Sequence, residues 1–102
     1  MGDFKTIESR TESAISLLKK NIHYLRKKVR GLTFEELAGF VGVSRDSLFR
    51  LENDKDRMTN LKTLVRITLF FNVSMDDLLF TDLEYESMKR EYLNKEGSED
   101  GN

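Results

Sequence analysis

The chain has 102 residues, 38% hydrophobic and 34% charged, with a formal net charge of -1, a profile that suits one globular domain with a single core. It has no cysteine, which excludes disulfides, thiolate catalysis and Cys-based metal sites, and no apolar run of about 18 residues that could span a membrane. One histidine and no glycine-rich phosphate loop leave nothing to converge on an enzyme active site, a cofactor or a metal, so the chain is expected to be a non-enzymatic cytoplasmic protein. Proline is absent, which favours a fold built almost wholly of helices.

In chain order, residues 1–12 are expected to form a frayed arm or a helix extension. A long first helix then starts at the box Ser9-Arg10-Thr11-Glu12 or at Ser13. Ile15, Leu18, Ile22, Leu25 and Val29 recur at spacings of three and four and predict its buried stripe, while Lys19, Lys20, Arg26, Lys27, Lys28 and Arg30 fall on its outer face. Five apolar positions span too few heptads for a coiled-coil seam. His23 flanks the stripe and reads as a surface residue, having no second ligand of its type for a metal.

Thr33 and Glu36 have capping-box spacing, Leu37, Ala38 and Val41 share a face, and Gly42 stands where a helix C-terminus needs a left-handed residue. Ser44 caps the next helix after only Gly42 and Val43, which is helix-turn-helix spacing. At about 100° per residue, Leu48 and Leu51 lie on one side of this helix and Arg45, Asp46, Phe49 and Arg50 on the other. That outer set is either a solvated charged face or one matched to base edges in a major groove.

Asn60 caps a helix whose predicted face is Leu61, Leu64, Val65, Thr68 and Phe71, and Asn72 can adopt the left-handed C-terminal position. Ser74-Met75-Asp76-Asp77 opens a short helix with Leu78 and Leu79. Thr81-Asp82-Leu83-Glu84 reads as a further capping box, ahead of a helix 81–95 that aligns Tyr85, Met88 and Tyr92. Residues 96–102 read as a disordered acidic tail.

Gly31-Leu32-Thr33-x-Glu35-Glu36-Leu37-Ala38, Gly42-Val43-Ser44-Arg45, Leu51-Glu52-Asn53, Leu61-x-Thr63-Leu64 and Asn72-Val73-Ser74-x-Asp76-Asp77-Leu78-Leu79 occur in order. Their combination over residues 25–79 closely resembles the DNA-binding domain of Cro and lambda-repressor-like, Xre-type transcriptional regulators. The resemblance implies an all-α fold: a five-helix lambda-repressor-like helix-turn-helix domain over 13–80, with an additional C-terminal helix. It also implies a bacterial or phage repressor that binds a palindromic double-stranded DNA operator as a homodimer.

Carried over residue by residue, it implies base contacts from Arg45, Asp46, Phe49 and Arg50. Backbone contacts are implied from Thr33, Phe34, Ser44, Ser47, Asn53, Lys55 and Arg57. The dimer interface is expected over Phe70, Phe80, Leu83, Tyr85, Met88 and Tyr92, and the Tyr85, Met88 and Tyr92 face is expected to cover Leu69 and Phe70 within one chain or across a twofold axis.

Three departures from the family pattern stand out. Phe34 replaces the usual Gln, which points to a core or staple residue. Asp54 replaces the usual Gly and, with Asp56, adds negative charge to a loop expected to face phosphate. One extra residue precedes Gly31, so either Arg26 or Lys27 takes the place of the family's helix-one arginine.

The charge distribution agrees with a nucleic-acid partner. Residues 13–70 carry 12 Lys and Arg against 6 Asp and Glu, or +6; residues 1–12 carry 2 against 3, and residues 71–102 carry 3 against 9. The acidic C-terminal segment then sits away from DNA or competes with it for the basic face. Too few residues follow Leu79 for a sensor domain, which leaves protein level, or a protein or peptide regulator, as the means of control. The competing reading is an antitoxin or adaptor of the same fold that acts on a protein partner through Phe34, Phe40, Leu69 and Phe70.

Overall fold

A computed structural model describes residues 3–54 and 58–100. They form six α-helices: α1 (Phe4–His23), α2 (Phe34–Val41), α3 (Arg45–Asn53), α4 (Leu61–Phe71), α5 (Met75–Phe80) and α6 (Leu83–Asp100). A π-helical segment, Tyr24–Val29, continues α1.

Most helix ends are set by residues within four positions of them. Thr33 and Glu36 form the reciprocal capping box of α2. Ser44, Asn60 and Ser74 accept from the amides of Ser47, Thr63 and Asp77 at the starts of α3, α4 and α5. Gly42 (φ 74°) and Asn72 (φ 55°) close α2 and α4 in the left-handed conformation.

The core is shared by the first five helices. Leu18, Ile22 and Leu25 meet Leu37 and Val41 of α2, Leu48 and Leu51 of α3, Leu64, Ile67 and Phe71 of α4, and Leu78 of α5. The buried face of α4 is turned from the expected one by about 60° on a helical wheel. Ile67 is at its centre, whereas Leu61 and Val65 are exposed.

The first helix differs from expectation in three ways. It begins at Phe4, capped by the Asp3 side chain, upstream of Ser9, because Asp3 accepts from the Thr6 amide. Lys19 and Arg26 are buried rather than on the solvent face, each consumed by a partner on α3. The extra residue before Gly31 is absorbed by the π-helical segment, where the Arg30 amide donates to Leu25 O, five residues back. One inserted residue rotates the residues after it by about 100°, which carries Val29 off the stripe and into solvent.

At the other end, Asp82 rather than Thr81 starts α6. Its carboxylate accepts from the Tyr85 amide, and its carbonyl from the Glu86 amide. The helix continues to Asp100, past the expected end near Lys95, because a single glycine at 97 costs a helix only about 1 kcal/mol. Leu83 packs inward against the core while Tyr85, Met88 and Tyr92 lie outward and exposed. These three do not cover Leu69 and Phe70. Phe40 stacks on Phe70 instead, at 5.1 Å between ring centroids, and Leu69 stays exposed.

Candidate nucleic-acid interface

Helix α3 is fixed from behind by apolar and polar contacts together. Leu48 and Leu51 are fully buried. Beside them the Glu52 carboxylate, only 1% exposed, receives a two-pronged grip from Arg26: Nε donates to Oε2 at 2.7 Å and Nη2 to Oε1 at 3.1 Å. Arg26 Nη1 donates to Leu32 O, tying the approach to α2 into the same cluster. His23 Nδ1 lies 2.9 Å from Glu52 Oε1 at the solvent edge. Lys19 Nζ donates to Leu51 O and Asp54 O, placing a cation on the carbonyl end of α3 where the helix dipole favours one. Arg66 holds the preceding turn through Val41 O and Gly42 O.

The front of α3 carries Arg45, Asp46, Phe49 and Arg50, all exposed. Arg45 Nη1 is 3.6 Å from Asp46 Oδ1. The Phe49 ring meets the edge of Phe34 at a centroid distance of 5.4 Å, and the Arg45 guanidinium lies 5.5 Å from one ring and 5.7 Å from the other. Behind Phe34 the Arg26 guanidinium is stacked at 3.9 Å, close enough for a cation–π contact. Arg50, Asp46, Ser44 and Ser47 border a polar groove whose far wall is Met58, Thr59 and Asn60. The N-termini of α2 and α3 flank this front, and each leaves amides without helical partners, a favourable arrangement for anions.

The helix-turn-helix family model matches residues 22–78, a span holding α2 and α3 together with Arg26, Glu52 and Arg66. The chain belongs to the Xre-type, lambda-repressor-like helix-turn-helix family of DNA-binding regulators. Comparison with curated proteins and with solved structures returns no match. No helix among the described residues is long and apolar enough to cross a membrane.

The residues singled out from sequence in and around this helix-turn-helix domain are not all placed alike. Arg45, Asp46, Phe49 and Arg50 share one exposed surface. Thr33, Ser44, Ser47 and Asn53 are exposed beside it but already engaged locally: Thr33 and Ser44 as caps, Ser47 with the Ser44 hydroxyl at 2.8 Å, and Asn53 donating to Phe49 O. Phe34 is half-buried and packs on the core, as its place between Leu37 and Ala38 on the helical wheel predicts. Lys55 and Arg57 lie outside the described residues. Phe70, Phe80, Leu83, Tyr85, Met88 and Tyr92 do not share one surface, since Phe70 packs with Phe40 and Leu83 turns inward.

Sequence reasoning gave no supporting role to Lys19 and Glu52, which hold α3, or to Asn21, which holds the junction of α5 and α6. Two of them, Asn21 and Glu52, carry a visible signal. Asn21 lies three residues after Leu18 and four before Leu25, on the apolar stripe, and Glu52 lies four after Leu48. A polar group on a buried face calls for a partner.

Proposed function

We propose that the chain is a sequence-specific transcriptional regulator, a repressor that binds a palindromic operator as a homodimer with residues 44–53 in the major groove. The observation that carries this reading is the two-sided character of α3. Its back is locked by Leu48, Leu51 and the Arg26–Glu52 pair, and its front presents Arg45, Asp46, Phe49 and Arg50 to solvent. A rigidly mounted helix with two arginines, a carboxylate and a ring at its front matches the donors, acceptors and methyl groups of base edges. Thr33, Ser44, Ser47 and Asn53 are suited to lie along the phosphate backbone.

The homodimer is assigned to the outward residues Phe80, Tyr85, Met88 and Tyr92, which are exposed on the single chain. A sedimentation run at high micromolar concentration without DNA is expected to return a dimer, and a monomer rules this interface out.

The test of DNA reading is affinity for selected duplexes over a salt series. Log affinity is expected to fall linearly with log salt, by about 0.9 per phosphate neutralised. Replacing Arg45 or Arg50 by Ala is expected to cost roughly 1 to 3 kcal/mol of binding and to relax base preference at one position. Salt-insensitive binding that is indifferent to both substitutions favours the second reading, a protein-binding adaptor or antitoxin. The exposed Phe40–Phe70 stack with Leu69 beside it is the surface such a partner would use.

A further inference from the structure

The cluster at the front of α3 specifies more than a generic base contact. Phe34 and Phe49 present aromatic edges and faces, which offer no hydrogen bond to phosphate or to the polar atoms of a base. In a major groove the one apolar feature available to such a ring is the C5 methyl of a pyrimidine, that of thymine or of 5-methylcytosine. Arg45 has guanine O6 and N7 as its specific partner there. Asp46, in contact with Arg45, complements the cytosine N4 amine of the same pair.

Distance then sets the spacing of these two features. The Arg45 guanidinium lies 5.5 Å from the centre of the Phe49 ring. Stacked bases rise by roughly 3.4 Å per step, so a ring and a guanidinium this close reach neighbouring base pairs. An unmodified base pair holds guanine or thymine, never both.

We therefore propose that α3 reads a thymine adjacent to a guanine, with Phe49 on the pyrimidine methyl and Arg45 and Asp46 on the G·C pair. Phe34 is the positioning residue of this reader. It stands outside α3, is backed by Arg26 at 3.9 Å, and meets Phe49 edge-on at 5.4 Å, so Phe49 and Arg45 are held against it before DNA arrives. Side chains ordered in advance lose less freedom on binding. The chain Glu52, Arg26, Phe34, Phe49 thus runs from a fully buried carboxylate to a half-exposed ring on the reading face.

This inference rests on the DNA-reading function proposed above, and it is tested so that the two can fail separately. Full-length protein is used to select from two pools of random duplexes, one made with thymine and the other with uracil, which lacks only the methyl group. The thymine pool is expected to yield a site with T next to G. Uracil at that one thymine is expected to weaken binding about fourfold, the equivalent of one buried methyl, while other thymines tolerate replacement. Restoring the methyl as 5-methylcytosine against unmodified cytosine at that position is expected to recover part of the loss.

Phe49→Ala, at an exposed position, is expected to bind thymine and uracil sites equally. Phe34→Leu keeps the packing volume and is expected to lower the thymine-to-uracil ratio with an unchanged salt slope, whereas Phe34→Tyr keeps the ratio. A selected site that binds with steep salt dependence but shows no uracil effect anywhere overturns the methyl reading and leaves the DNA-reading function standing. A uracil effect that survives Phe49→Ala overturns the assignment to Phe49. Failure to select any sequence, with salt-insensitive binding, overturns both proposals.

Discussion

Helices α3 and α6 both present aromatic and charged side chains to solvent, yet they are held in opposite ways. The nine residues of α3 bury Leu48 and Leu51 completely, and buried polar groups grip it at Glu52 and at its carbonyl end. Across residues 83–95, α6 buries no side chain fully; only its first turn is anchored. That anchor is polar. Asn21 Nδ2 donates to Asp77 O, Leu78 O and Thr81 O at the end of α5, and Asn21 Oδ1 accepts from the Leu83 amide at the start of α6. Lys20–Asp82 and Lys28–Glu84 ion pairs stand beside it. A reading helix needs its back immobilised if its front is to hold a geometry, whereas a helix reserved for another surface needs only a firm root.

The sharpest way to break this comparison is to remove apolar volume from each helix. Leu48→Ala is expected to cost about 2 to 5 kcal/mol of folding stability, because a fully buried leucine leaves a cavity. Tyr92→Ala is expected to stay within about 0.5 kcal/mol. Chemical denaturation at a protein concentration low enough to dissociate the proposed dimer measures both, and equal losses would erase the distinction.

Next in size is the polar lock of α3. Glu52→Ala leaves the Arg26 cation buried without its carboxylate and is expected to cost about 3 to 5 kcal/mol, read from the denaturant midpoint. If that variant instead loses less than a surface pair would, α3 is held by its leucines alone.

The root of α6 comes third. Asn21→Ala removes four hydrogen bonds from a buried junction and is expected to cost about 1 to 3 kcal/mol. Amide exchange is expected to speed up through the first turn of α6 and to stay slow in α3. Uniform acceleration in both helices would mean that the junction supports the whole domain.

The smallest effect is the pH dependence of the Lys20–Asp82 pair. The Lys20 ammonium, with the Tyr85 amide, holds the Asp82 carboxyl below its ordinary value of 3.8. Its contribution is therefore complete above pH 3.8 and is lost as pH falls through the folded value. Asp82 in turn raises Lys20 above 10.5, so that contribution is complete below pH 10.5 and is lost as pH rises through the folded value. The pair is exposed, so both effects should shrink with added salt. Asp82→Asn is expected to flatten both limbs of the stability profile, and unchanged limbs would remove the pair from the account of α6.

The Thr33 to Asn53 segment was legible almost in full. Its capping box, the left-handed Gly42, the Ser44 cap and the division of α3 into Leu48 and Leu51 against Arg45, Asp46, Phe49 and Arg50 all come from spacing. The surrounding support was not. Lys19 and Arg26 read as solvent cations because a wheel shows where a side chain points but not which carbonyl or carboxylate meets it. The choice between Arg26 and Lys27 was open on sequence; in the structure Arg26 is buried and reaches Glu52, while Lys27 is exposed. Phe70 drew an expected cover from α6, yet Phe40 of α2 was nearer and took that place.

By itself, then, the sequence determined the helices, most of their caps and the helix-turn-helix spacing, because each depends on residues within about four positions along one helix. Only the tertiary structure decided which charged residues became buried supports. Arg26 finds Glu52 across 26 residues, Lys19 finds Leu51 O across 32, and Asn21 finds Leu83 across 62. The physical reason is that a local cap is complete once one turn forms. A buried charge is tolerated only when the fold brings its partner to it.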